Sequence, residues 1–314
     1  MKDFKGKLAI VTGGGTGMGR ELVQQLTAAG CHVGTCDVSE ENLRETQRLC
    51  AQDSPWVRVT THLCDVADET QVLAFRDAAL KAHERVDINL LFNNAGIGGG
   101  ESFLINKREE WDRTFGVCWF GVYYCSRAFM PLLEASSEGY IVNTSSVNGF
   151  WAITNTAYSA AKFAVKGFSE ALVSDLRLNA PHVKVAVVMP GHVGSSMAIN
   201  TDKVLGRPTP KNMSAADIAA IRKRMVESGM PGGNDSDEQT RAALQQQLDD
   251  FRNKAPLSPA QAAAIILDGV RNDRWRILVG DDAHTVDRMV REAPEQAYEA
   301  DFRAALRKQL TQTS

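Results

Sequence analysis

Apolar residues along this chain fall in short runs, separated by longer stretches where they recur every third or fourth position. The runs "KLAIVTG" (7–13), "HVGTCDV" (32–38), "VRVTTHLCDV" (57–66), "INLLFNNAG" (88–96), "GYIVNTSS" (139–146), "VKVAVVMPG" (183–191) and "RWRILVG" (274–280) predict strands. Several are apolar on consecutive rather than alternate positions, as strands covered on both faces are. The stretches 18–30, 40–51, 68–84, 108–136 and 157–179 have helical length and spacing. Strand–helix alternation of this kind predicts an α/β fold, a parallel, doubly wound, seven-stranded sheet with helices on both faces.

From about 198 to 257 the alternation stops. "SAAD" opens a helical pattern at Ser214, with Ile218, Ile221 and Met225 on one face and Gly229 as its stop. "SDEQ" opens another at Ser236, with Leu244, Leu248 and Phe251 on one face. The join "GMPGGNDSD" (229–237) is rich in turn formers. "SPAQ" at Ser258 starts a further helix with Pro259 at its first position, and a helical tail runs from about 283 to 310. The expected organisation is one domain, 1–314, with a helical insertion at 198–257 that serves as an enlarged substrate lid, and a C-terminal helical tail at 283–314. Both inserted helices carry apolar stripes, which either a pocket beneath them or a subunit contact covers.

Composition narrows the function classes. A net charge of −3 leaves no electrostatic footprint for nucleic acid. No apolar run approaches the ~18 residues that span a bilayer, and the N-terminal "MKDFKGKLAIVTGGG" lacks the apolar region of a signal peptide. The six cysteines (31, 36, 50, 64, 118 and 125) sit mostly inside apolar runs with no CxxC pair. They fit core thiols in a reducing cytoplasm better than a disulfide framework or a metal site.

Candidate chemistry begins at "TGGGTGMG" (12–19), between the first strand and a helix. Glycine allows a tight turn and close approach of the backbone to a pyrophosphate, and a helix N-terminus favours negative charge. Glycine at 13, 17 and 19 is not the common G-x-G-x-x-G spacing, and a glycine loop alone serves equally as a plain turn. Its place between strand and helix favours a phosphate cradle. Asp37 closes the second strand, where a carboxylate accepts hydrogen bonds from ribose hydroxyls and repels a 2′-phosphate. No Arg or Lys precedes Arg20 in the glycine loop or follows Asp37 before Arg44, which favours NAD over NADP. Asp37 could instead cap the next helix, a role equally open to Ser39. In "TAYSAAK" (156–162), Tyr158 and Lys162 stand one above the other on a helical face. That spacing alone suits a surface pair as well as a catalytic one.

Six segments in order decide between these readings. "TGGGTGMG", "CDV" (64–66), "NNAG" (93–96), "NTSS" (143–146), "YSAAK" (158–162) and "PGHVGSS" (190–196) make the chain resemble the short-chain dehydrogenase/reductase family, whose fold is Rossmann-like. The resemblance runs over about 5–197 and resumes at 258–280. It implies that Gly13, Gly17, Met18 and Gly19 hold a pyrophosphate, Asp37 the adenosine ribose, and Asp65 and Val66 the adenine. Asn94, Ala95 and Gly96 are implied to line the cofactor cleft. Pro190, Gly191 and Val193 are implied to pack on the nicotinamide, with Ser195 where the family often has Thr. Tyr158 is implied as acid/base, Lys162 as its assistant and ribose ligand, and a serine as holder of the substrate oxygen. A free phenol has a pKa of ~10. A neighbouring ammonium and a positive nicotinamide favour the phenolate and bring that value toward the working pH.

Two features depart from the family pattern. The family places its serine thirteen residues before the tyrosine; Ser145 is thirteen before Tyr158 and Ser146 twelve. Ser146 directly precedes the "VNG" turn (147–149), as the active serine does in the family, and a loop shortened by one residue within 150–156 reconciles the count. Adjacent strand residues face opposite sides, so one of the two serves, and Ser146 is the expected one. At 118 the family commonly has an asparagine that bends the helix and supports a water-linked proton relay; here Cys118 stands there and is expected simply to pack. His192 and His284 are expected to be packing and capping residues rather than a base or a metal ligand. Met197, Met213, Met225 and Met230 either line an adaptable pocket or form the core of the insertion.

The expected function is an NAD-dependent oxidoreductase interconverting a secondary alcohol and a ketone, with no metal. Its alternatives are an NADP-linked carbonyl reductase and a dinucleotide sensor without turnover. The substrate is expected to be bulky and largely apolar, the assembly a homotetramer or homodimer through 108–136 and 157–179, and the location cytoplasmic.

Overall fold

A computed structural model describes residues 1–153, 155–227 and 231–312. Strands β1 (Leu8–Thr12), β2 (His32–Asp37), β3 (Val59–Leu63), β4 (Leu90–Asn93), β5 (Gly139–Thr144), β6 (Val183–Pro190) and β7 (Arg276–Val279) form one sheet in the order 3-2-1-4-5-6-7. Every neighbouring pair is parallel, as the alternating pattern predicts. The connections supply α1 (Gly17–Ala28), α2 (Glu40–Asp53), α3 (Glu69–His83), α4 (Arg108–Phe115), α5 (Gly121–Glu134) and α6 (Thr156–Asn179). After β6 come α7 (Met197–Val204), α8 (Ala215–Glu227), α9 (Asp237–Asn253) and α10 (Pro259–Arg271); after β7 come α11 (Asp281–Glu292) and α12 (Ala300–Gln312).

The consecutive apolar runs have a simple cause. In β1, Ala9 and Val11 enter the core under α1 and α10, while Leu8 and Ile10 enter the core under α3, α5 and α6. Both faces of a central strand are buried, so both sets of alternate residues are apolar. The edge strand β3, "VTTHL", is only half covered and reads more polar, with Leu63 exposed. Ser214 caps α8, and Ser236 and Ser258 form capping boxes at α9 and α10, as their spacing predicts. Ser39 caps α2, which frees Asp37 from that duty.

Three elements differ from the sequence pattern. The helix expected over 108–136 is interrupted by a π-helical turn, Gly116–Phe120, centred on Cys118. The tail expected as one helix divides into α11 and α12 around Pro294, where the missing N–H and the ring stop a helix. The insertion begins with α7, which the periodicity did not announce. The expected stop at Gly229 and the methionine at 230 lie outside the described residues. Met213 and Met225 do not reach the cavity described next; Met197 does.

Candidate active site

The carboxyl ends of the strands open along one edge of the sheet, and the order reverses between β1 and β4, the switch point where open α/β sheets take ligands. A cavity of about 570 Å³ lies there. It runs past the ends of β3, β2, β1, β4, β5 and β6. Gly13, Gly17, Met18 and Gly19 of the glycine loop line it, as do Asp37, Asp65 and Val66. So do Asn94, Ala95 and Gly96, the trio Ser146, Tyr158 and Lys162, and Pro190, Gly191, Val193 and Ser195.

At the glycine loop, a Cβ on Gly19 would stand 2.0 Å from the Gly13 carbonyl oxygen, so α1 meets β1 this closely only with glycine there. The turn after β4 is tied to the same place. Thr12 Oγ1 accepts from the amides of Asn94 and Ala95, each at 3.0 Å, and Asn94 Nδ2 donates to the Thr12 carbonyl at 3.0 Å. Asn94 Oδ1 is buried without a partner, a polar atom left for a donor in the cleft. Asp37 accepts from the amides of Gly15 (3.0 Å) and Ser39 (3.1 Å). Burial pushes its carboxyl above the usual range, against these amides and the Arg20 charge. Asp37 thus has a cation near it, which the sequence spacing did not show. That guanidinium is already spent on the carbonyls of Gly15 and Asn42 and on Thr46 Oγ1.

At the other end, α6 carries Tyr158 and Lys162 on the face turned to the cavity. The Lys162 ammonium lies 5.4 Å from the Tyr158 ring centroid and donates to the Thr144 carbonyl at 2.7 Å. Ser146 Oγ accepts from the Asn148 amide at 3.1 Å, and its hydroxyl favours the ionised form of the Tyr158 phenol on the same cavity wall. Ser145 points the other way and donates to the Lys162 carbonyl at 2.7 Å. Burial pushes the Tyr158 phenol up, with the Cys118 thiol adding to the rise and the Ser146 hydrogen bond opposing it. Burial also pushes the Lys162 ammonium down. The protein's own groups therefore do not bring the phenol toward neutrality as the spacing suggested; burial outweighs the hydrogen bond.

Cys118 is fully buried, and its thiol donates to the Ile97 carbonyl at 3.1 Å. It sits at the middle of the π-turn, Gly116–Phe120. His192 Nε2 pairs with the Phe251 carbonyl at 2.8 Å and its ring lies against Phe251, so it ties the insertion down. His284 is exposed on α11. Among the described residues no three His, Cys, Asp or Glu side chains converge as a metal site requires, and no helix is long and apolar enough to cross a membrane. All six cysteines are buried and unpaired by disulfides.

Several lining residues had no local signal. Arg113 of α4 pairs with Asp65 at 2.7 Å. Asn200 of α7 donates to Thr16 Oγ1 at 2.9 Å, and Thr201 accepts from the Gly98 amide at 2.8 Å, so α7 crosses the cleft from wall to wall. Lys203, Val204 and Phe251 complete that side. α8 and α9 pack on each other, and of their apolar stripes Phe251 lines the cavity.

A sequence model of the short chain dehydrogenase family matches residues 7–205, well over half of the chain. The chain belongs to the short-chain dehydrogenase/reductase family. It is 32% identical to the protein SadH of Mycobacterium tuberculosis over 293 residues, 93% of this chain and 92% of that one. A short-chain dehydrogenase/reductase of Burkholderia phymatum, solved in complex with NAD, superposes with a TM-score of 0.75 at 28% identity, covering 94% of this chain and 96% of that one. A metagenomic short-chain oxidoreductase solved in complex with NADP matches with a TM-score of 0.54 at 32% identity, over 60% of this chain and 83% of that one. Family membership makes this an oxidoreductase that uses a nicotinamide dinucleotide. Cys118→Ala is expected to keep at least about a tenth of wild-type turnover, because a thiol is a weak hydrogen-bonding group; complete loss in a folded variant would make it a catalytic thiol.

Proposed function

We propose that this short-chain dehydrogenase/reductase interconverts a secondary alcohol and a ketone with NAD, and that Tyr158 is its general acid and base. The observation that carries the reading is the meeting of Ser146, Tyr158 and Lys162 on one wall of the cavity that has Asp37 at its far end. A nicotinamide dinucleotide, when bound, supplies or accepts the hydride. Gly13, Gly17, Met18 and Gly19 hold its pyrophosphate, and Asp37 its adenosine ribose. Asp65, Val66, Asn94, Ala95 and Gly96 line its bed, while Pro190, Gly191, Val193 and Ser195 close the nicotinamide end. The Tyr158 hydroxyl gives its proton to the substrate oxygen in reduction, and the Tyr158 phenolate takes the alcohol proton in oxidation. Ser146 donates a hydrogen bond to that same oxygen where negative charge develops. Lys162, anchored on Thr144, holds a positive charge under the phenol and favours its ionised form.

A carboxylate facing a 2′-phosphate repels it, so kcat/KM with NADH should exceed that with NADPH by at least about tenfold. Equal values would transfer the reading to an NADP-linked carbonyl reductase. The substrate proposed is bulky and largely uncharged, bearing on Met197, Val204 and Phe251. The assembly proposed is a cytoplasmic homotetramer or homodimer. Its contact would run over the face of α5 and α6, where Tyr123 and Phe163 stand exposed beside Phe120 of the π-turn. A panel of secondary alcohols with NAD, followed by NADH absorbance, tests the activity. Silence across the panel together with tight NADH binding would make the protein a dinucleotide sensor.

A further inference from the structure

Residues 147–155 join Ser146 to the helix that carries Tyr158, so whatever fixes this loop fixes one catalytic group relative to the other. The loop starts as a 3₁₀ turn, Val147–Gly149, and then leaves the main cores. Phe150, Trp151 and Ile153 pack instead into a separate apolar cluster with Val286 and Met289 of α11, Ala297, and Phe302 and Leu306 of α12. Trp151 is 4% exposed, and its ring meets Phe302 edge-on at 5.8 Å between centroids. Its indole Nε1 donates to the Ala297 carbonyl at 2.8 Å, and the Ala152 amide donates to the Tyr298 hydroxyl at 3.3 Å.

The same C-terminal segment grips the other loop at this end of the cavity. Asp282, in the first turn of α11, accepts from the His192 amide at 2.6 Å. A Cβ on Gly191 would stand 2.2 Å from both carboxylate oxygens of Asp282, so the two backbones approach this closely because 191 is glycine. One segment therefore contacts both loops at the reacting end of the cavity, 147–153 and 190–193, and neither contact involves the glycine loop.

We propose that residues 281–310 form a buttress that sets the position of Ser146 and of the 190–193 loop, with Trp151 as the positioning residue through which it holds the 147–153 loop. The inference rests on the reading of Ser146 and Tyr158 as catalytic. A loop released from its buttress misplaces a hydrogen-bond donor by a fraction of an ångström to an ångström, which costs turnover steeply. A tail that serves only stability would change the melting temperature and leave kcat and KM of the folded molecules alone.

Trp151→Phe, which keeps an aromatic ring and removes the indole donor, and Tyr298→Phe, which removes a half-exposed hydroxyl, test this in the full chain. For Trp151→Phe, kcat/KM toward the alcohol should fall about tenfold well below the melting temperature, while the NADH dissociation constant stays within about twofold. Tyr298→Phe should show a fall of about threefold with an unchanged melting temperature, and it decides the matter if Trp151→Phe fails to fold. Amide hydrogen exchange over 147–153 should quicken in both variants while the glycine loop keeps its protection, a readout that needs no substrate. Wild-type kcat and KM in the folded variants would overturn the proposal even if exchange quickened. Loss of NADH affinity in step with activity would overturn it as well, because it would report general misfolding. If the wild type itself turns over no alcohol, the functional reading has failed, and the exchange pattern alone decides whether the buttress exists.

Discussion

Tyr158→Phe is expected to lower turnover in both directions by about a thousandfold, or about 4 kcal/mol of barrier, while NADH binds within about twofold of wild type. Phenylalanine keeps the ring that packs beside the Lys162 ammonium, so the cavity wall survives and only the proton carrier is lost. The environment of the phenol adds a pH signature. Burial pushes it up, so near neutrality the protein alone keeps Tyr158 protonated, the form that serves reduction. Oxidation needs the phenolate, so its rate should rise with pH, and reduction should slow once pH passes the phenol's pKa in the complex. Tyr158→Phe should lose this limb in both directions together with the rate. Steady-state rates across pH, with an NADH fluorescence titration, check both halves. A variant that keeps more than about a tenth of the rate, or keeps the same pH limb, would assign the proton to another group.

How much of this could be read from the chain depends on where the determining interaction lies. Central strands are legible because their burial on both faces writes itself into consecutive residues such as Ala9, Ile10 and Val11. Capping boxes at Ser236 and Ser258 are legible because donor and acceptor are three residues apart. The same locality made the glycine loop and the Tyr158–Lys162 pair visible. Tertiary pairings leave no such trace. The Arg113–Asp65 ion pair, the Asn200–Thr16 bond that seats α7, and the Trp151–Ala297 bond each join residues tens to hundreds of positions apart. The π-turn at 116–120 adds one residue to a helical turn without disturbing the apolar pattern on either side, so periodicity reads straight through it. Pro294 is different. It was present in the sequence, and its incompatibility with a helix interior marks the division of the tail into α11 and α12.

Ser146→Ala and Ser145→Ala should separate a catalytic hydroxyl from a structural one at adjacent positions. Ser146 meets the phenol of Tyr158, and removing its donor should lower kcat by about a hundredfold, near 2.7 kcal/mol, with little change in stability. Ser145 is turned to the carbonyl of Lys162 at 2.7 Å and is packed so tightly under Gly149 that a Cβ there would stand 2.2 Å from its hydroxyl oxygen. Its loss should cost about 1 kcal/mol of stability, a shift of about 2 °C in melting temperature, and leave kcat within about threefold. The count of thirteen residues to the tyrosine favours the opposite outcome, so the pair decides between chain spacing and local geometry. Near wild-type turnover in Ser146→Ala, with the loss falling on Ser145→Ala, would mean that the loop between serine and tyrosine keeps the family's length and that the hydroxyl facing the phenol is not the one that holds the substrate oxygen.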